Sequence, residues 1–157
     1  MSLYMESTKI SAERTAHEIS NILIQAGASA IRHDVKEKKI CGLSFTLEIK
    51  GDQVPFTLPV RIEPIFRYLQ KRISPRNRDR NKPAQLLQAE RVAWRQLLRW
   101  IQAQVALIDT GMVKADEVFL PYIQTGVNET LYERLSSCSL SNLHRLALPS
   151  GNDNKIG

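Results

Sequence analysis

The chain has 157 residues, 43% of them hydrophobic, enough for one domain with a real core. No apolar run approaches the roughly 18 residues of a membrane span. The opening MSLYMESTKI lacks the apolar stretch of a secretory signal, so the expected compartment is the cytoplasm. The formal net charge is +6, and the two cysteines, Cys41 and Cys138, have no spacing that makes a disulfide framework or a zinc site.

Ser11 is placed to cap a first helix. Ala12, Thr15, Ala16, Ile19, Ile22, Leu23 and Ala26 recur at helical spacing behind it, and Gly27 supplies the stop. Ile31, His33 and Val35 then alternate along a short strand. After the charged turn 36–39, Cys41, Leu43, Phe45, Leu47 and Ile49 alternate with small or polar residues, the clearest period-two pattern in the chain. Gly51-Asp52 reads as a two-residue hairpin turn. Val54, Phe56, Leu58 and Val60 continue the inward face on a third strand. Pro55 and Pro59 remove amide donors, which puts that strand at an edge.

Pro64 suits the first turn of a second helix that buries Ile62, Ile65, Phe66 and Leu69 and ends near Arg72. Residues 73–83, ISPRNRDRNKP, have no apolar periodicity and read as a mobile loop. Residues 83–111 read as one long helix. Its apolar residues, among them Trp94, Leu98 and Ile101, fall within about half the circumference at 100° per residue. Glu90 and Gln104 interrupt that apolar half. The stretch VFLPYI, residues 118–123, reads as an extended segment across the core. Thr130 and Glu133 form a capping box for a short helix with Leu131, Tyr132 and Leu135. Beyond Ser136 the chain turns polar. Leu140, Leu143, Leu146 and Leu148 suggest a weak helix, and residues 149–157 are expected to be disordered.

The expected organisation is a single α+β domain over residues 8–135 with a polar, partly disordered tail over 136–157. It is a three-stranded antiparallel meander with helices packed on one face, in the order α-β-β-β-α-α(long)-α(short).

The charge is uneven. Residues 61–99 hold 11 basic and three acidic residues, while the remainder is slightly acidic. That concentration favours an anionic partner. The candidate anion-binding residues are Arg72, Arg76, Arg78, Arg80 and Lys82 in the loop and Arg91, Arg95 and Arg99 on the long helix. At i, i+4 and i+8 these last three span about an 80° arc of the face expected to be solvated. Arginine offers paired donors suited to phosphate oxygens. Such contacts give affinity without sequence readout.

Glu90 admits two readings. Unpaired in an apolar face, it would have a raised pKa and a catalytic character. Paired with an arginine such as Arg61 or Arg67, or hydrogen-bonded to a neighbouring helix, it is a structural tie, and that is the reading preferred here. His17, Glu18, His33 and Asp34 do not share a face by spacing, and no catalytic, metal or cofactor motif is present, so no cofactor and no metal are expected.

The stretch QAERVAWRQLLRWIQAQVALIDTGMVKADEVFLPY, residues 88–122, with TKISAERTAHEI and GLSFTL, resembles a group of small uncharacterised proteins of bacterial prophages and mobile elements. The resemblance covers most of residues 8–135. It implies a phage or mobile-element setting and assigns no functional residue. The helix-strand-strand-strand-helix order is also similar to that of double-stranded RNA-binding domains, where lysines at the start of the last helix meet phosphates. Lys82 lies near that point, although a helix over 64–72 intervenes and the Lys-Lys-x-Ala-Lys pattern is absent.

The expected function is therefore that of a non-enzymatic accessory protein. It would bind nucleic acid or an acidic protein through the basic segment, residues 71–99, with low sequence specificity. The alternative is a protein-interaction module, an inhibitor or assembly factor, acting as a homodimer without nucleic-acid binding. Surplus apolar surface on the long helix, VFLPYI and the C-terminal helix would be buried either by a homodimer built on the long helix or, in a monomer, by VFLPYI closing the core.

Overall fold

The computed structural model describes residues 2–138. The elements are α1 (Ala12–Gln25), β1 (Ala30–Lys36), β2 (Lys39–Ile49), β3 (Asp52–Pro59), α2 (Ile62–Lys71), α3 (Arg78–Asp109), α4 (Ala115–Phe119), β4 (Gln124–Gly126), β5 (Glu129–Thr130) and α5 (Leu131–Ser136). Strands β1-β2-β3 form an antiparallel meander, and β4-β5 form a second, two-stranded sheet. The class is α+β, as the alternation of residues 41–49 and the helical spacings require. Of the tail expected over 136–157, Ser136 ends α5 and residues 139–157, with the weak helix expected there, lie outside the described residues.

Local signals place most boundaries. The Ser11 hydroxyl accepts from the Arg14 amide at 3.2 Å and starts α1. Gly27, at φ +100°, ends it in a conformation that disfavours a side chain. Thr130 and Glu133 exchange side-chain to backbone bonds of 2.8 and 3.3 Å at the start of α5.

Both hairpin turns have two residues in the left-handed region, the requirement of a type I′ turn. The second is Lys50-Gly51, at φ +53° and +89°, with Ile49 facing Asp52. The expected turn Gly51-Asp52 is thus displaced by one residue, because the glycine takes the second left-handed position and leaves Asp52 to pair. The first turn, Glu37-Lys38, has φ +51° and +64° with no glycine at all. Left-handed geometry costs an ordinary L-residue about 1–2 kcal/mol. The double substitution Glu37→Asn, Lys38→Gly is expected to raise stability by about 1 kcal/mol. A higher urea midpoint at unchanged slope would register the gain; an unchanged midpoint would rule out strain in this turn.

Register shifts between Asp34 and Val35: Asp34 faces Gly42, whereas Val35 faces Ile40, so Cys41 is the extra residue of a β-bulge. The extra residue shifts side-chain parity on β2 ahead of Gly42. Cys41, expected inward, is half-buried. Ile40 packs against the core instead. The Cys41 thiol donates to the Asp34 carbonyl at 3.4 Å.

The core lies between the inner face of the meander and the helices. Leu43, Phe45, Leu47, Phe56 and Leu58 from the sheet meet Ala16, Ile19 and Leu23 of α1 and Trp94, Leu98 and Ile101 of α3. Phe119 closes this cluster. Its ring lies 5.2 Å from Phe45, 5.7 Å from Phe56 and 6.0 Å from Trp100, centroid to centroid. The stretch expected to be extended is therefore helical: α4 delivers Phe119, and a 3-10 turn, Leu120–Tyr122, follows. Pro121 fits because a proline is tolerated in the first turn of a helix. Only then does the chain extend, with Ile123 bridging to Phe56 at the outer edge of β3.

Helix α3 starts at Arg78, not at Pro83. A 3-10 turn, Pro75–Asn77, joins it to α2, so the segment expected to be a mobile loop is largely helical. Its sequence showed no periodicity because it packs on little: Arg76, Arg78, Asp79, Arg80 and Lys82 are all exposed. Among the described residues, no helix is long and apolar enough to cross a membrane.

Candidate nucleic-acid interface

The basic residues divide into groups that the sequence treated as one. At the corner where α2 ends and α3 begins, Lys71, Arg76, Arg78, Arg80 and Lys82 are exposed. Asp79 is the one carboxylate between residues 71 and 82. Among the described residues, none of Arg76, Arg78, Arg80 and Lys82 has a carboxylate partner. The Arg78 guanidinium donates to the Ile73 carbonyl at 3.3 Å, a bond that positions it without neutralising it. Asn77, the residue before α3, contributes no side-chain cap. The Arg78 amide is taken by the Pro75 carbonyl; the amides that follow at the start of this 32-residue helix add their partial positive charge to that of the side chains.

The row on α3 is different, and one expectation is corrected there. Arg95 is not on a solvated face: it is only 6% exposed. Its guanidinium donates to the Glu18 carboxylate at 3.0 Å and lies 3.4 Å from the Thr15 hydroxyl, tying α3 to α1. The reason is that α1 and α2 both pack against α3 and leave little of its middle uncovered. Arg91 is half-buried, and Arg99 is exposed with a 2.9 Å bond to Gln102. At 1.5 Å per residue, Arg99 stands about 30 Å along the helix from Arg78. The corner and Arg99 are therefore separate surfaces.

Arg72 is also engaged: it pairs with Glu6. That contact belongs to an N-terminal strap, residues 3–8, laid against α3. The Gln88 amide donates to the carbonyls of Glu6 and Thr8 at 2.7 and 2.8 Å, and Gln96 donates to the Tyr4 carbonyl at 2.9 Å. The strap has little sequence signature, because its backbone carbonyl acceptors belong to no residue type; two glutamines eight apart on α3 are its one sign.

The hydrogen bond from Arg72 holds the Glu6 carboxyl below the usual carboxylate range, assisted by the Leu3 amide. A depressed folded-state pKa means the ionised form is favoured by folding. The contribution is present above the ordinary value and is lost as pH falls through the depressed one. The Leu3 amide, which donates to Glu6 at 2.9 Å, should report this. Its NMR shift is expected to step at a pH below the ordinary carboxylate midpoint of about 4.3. The step should vanish in Glu6→Gln; a midpoint at or above the ordinary value would contradict the pairing.

Glu90 is 5% exposed and bonds to Lys39 at 3.2 Å. The expected arginine partner is replaced by a lysine at the start of β2; of the two arginines considered, Arg67 pairs with Glu63 on α2. Beside it lies a small recess of about 220 Å³ lined by Ser11, Glu13, Leu87 and Arg91. The carboxylate ties the sheet to α3, and no second titratable group is bonded to it among the described residues.

His33 lies 2.8 Å from the Ser20 hydroxyl, and its ring meets that of His17 edge-on at 5.9 Å. Asp34 turns instead to Arg32, at 3.1 Å. Among the described residues, no group of three or more histidine, cysteine, aspartate or glutamate side chains could hold a metal.

No protein-family model, no curated protein and no solved structure matches this chain.

Proposed function

We propose that the protein binds nucleic acid through the α2–α3 corner, as an accessory factor that recognises phosphates and not base sequence. The observation that carries this reading is the set Arg76, Arg78, Arg80 and Lys82. These are four exposed cations within seven residues, without a carboxylate partner among the described residues, at the uncapped positive end of a long helix. In the absence of an anion the arrangement is unfavourable. Arg78 and Arg80, in the first turn, each oppose the helix dipole by about 0.3–1 kcal/mol at the surface, and Asp79 between them offsets part of that. A phosphate backbone reverses the sign of that interaction and receives both side-chain and amide donors.

Low specificity follows from the chemistry. Guanidinium and ammonium contacts to phosphate carry no sequence information. No aromatic residue lies between residues 71 and 82, so the corner offers no stacking platform of its own. The phage or mobile-element setting implied by the sequence resemblance suits such an accessory role. Arg95 leaves the proposed interface, and Arg72 contributes to it only if released from Glu6. Lys71 joins it.

Fluorescence anisotropy with labelled single- and double-stranded oligonucleotides tests this directly. Binding is expected at low salt, with a plot of log affinity against log salt of slope about −3 to −4 for four phosphate contacts. No anisotropy change with either oligonucleotide at low salt would refute it, and binding of acidic protein alone would move the reading to an acidic-protein partner.

A further inference from the structure

Away from the basic corner, the described residues leave an apolar groove uncovered. Its main part, about 620 Å³, is lined by Val60, Ile65, Leu97 and Trp100, with Arg61 and Gln96 as its polar groups. A second hollow of about 370 Å³, lined by Leu120, Leu131, Leu135 and Cys138, continues it. The two share Pro121 and Tyr132. On its walls, Leu120 and Tyr132 are 50% and 54% exposed.

The position of the chain's exit points to an occupant. Cys138, the last described residue, is itself part of the groove wall. The sequence continues SLSNLHRLAL, with leucines at 140, 143, 146 and 148. Each further residue adds at most about 3.3–3.6 Å of reach, which puts positions 140, 143 and 146 within range of a groove whose wall includes Cys138. A segment tethered at the rim of its own binding surface is present at an effective concentration in the millimolar range. A free partner must exceed that to compete.

We infer that residues 139–148 dock their leucines into the groove between α3, α5 and the Leu120–Tyr122 turn of the same chain. This inference is independent of the nucleic-acid reading. The groove is thereby an intramolecular interaction surface, and an external apolar segment gains access only by displacing the tether.

Paramagnetic broadening in the full-length chain tests it. A nitroxide is attached at Asn142→Cys in a Cys41→Ser, Cys138→Ser background, and the amide signals of Leu97, Trp100 and Tyr132 are followed by NMR. Loss of most of their intensity, independent of protein concentration, is expected. Adding Leu143→Asp and Leu146→Asp should restore it. Unbroadened groove signals would overturn the inference, as would broadening that survives both aspartates. In a mixture of spin-labelled chains without isotope and unlabelled-spin chains with ¹⁵N, transfer of broadening to the ¹⁵N chains would overturn it in favour of a second copy as occupant.

Discussion

Phe119→Ala is expected to destabilise the protein by about 3–5 kcal/mol, the range for truncating a buried aromatic. For a chain of this size that corresponds to roughly 2–4 °C in Tm per kcal/mol. Phe119 is 1% exposed and contacts rings from two strands and from α3. Phe45 and Phe56 face each other across β2 and β3 and stack at 5.3 Å, so the floor beneath Phe119 is fixed by strand register. Rings held in that way relax little into a void, and incomplete relaxation puts the cost at the upper end. The internal comparison is Leu120→Ala, one residue on and 50% exposed, which should cost less than about 1 kcal/mol. Urea or thermal melts of both variants decide the matter. Equal losses would mean that α4 does not anchor the C-terminal third of the domain.

The second large effect concerns charge. Replacing Arg76, Arg78, Arg80 and Lys82 together by alanine is expected to reduce the salt slope of nucleic-acid binding by about 3–4, at 0.7–0.9 per phosphate contact. Affinity at low salt should fall by orders of magnitude. Stability should hold or rise, because four cations leave the positive end of α3. Arg95→Met should do the reverse. It breaks the buried bond to Glu18 and lowers stability by about 1–3 kcal/mol, but leaves the salt slope unchanged. A quadruple variant with the parental slope would exclude the corner, and an Arg95→Met protein of reduced slope would exclude the division into structural and exposed arginines.

That division marks where the sequence stops being legible. The period-two alternation of residues 41–49, the Ser11 and Thr130 caps and the glycine stop at Gly27 each have a local cause, and each was readable. Arg95 was not. Helical periodicity assigns a charged residue to the solvent side, but α3 is packed by α1 on one flank and α2 on another. The residue that neutralises Arg95 is 77 positions away in sequence. The start of α3 was missed for the opposite reason: a helix turn that buries little leaves no apolar pattern, even though arginine is a good helix former. The bulge at Cys41 was invisible because one extra residue changes the inward-outward assignment only at Cys41 and Ile40, without altering the composition. For the candidate interface, the charge excess was legible, but its contraction from eight residues to a corner was not: Arg72 and Arg95 are each engaged by an acidic residue from the first 20 positions, Arg91 is half-buried, and Arg99 stands far along the helix.

The meander also determines how this protein can fail to aggregate. A sheet of three strands has two open edges, and each is a template onto which another chain could add. Here β1 carries the charged Arg32, Asp34 and Lys36 at alternate positions. On the other side, Pro55 and Pro59 remove donors from β3, and Ile123 already occupies the ladder at Phe56. Addition of a further strand to the meander is thus opposed by charge along β1 and by missing donors and an occupied position along β3.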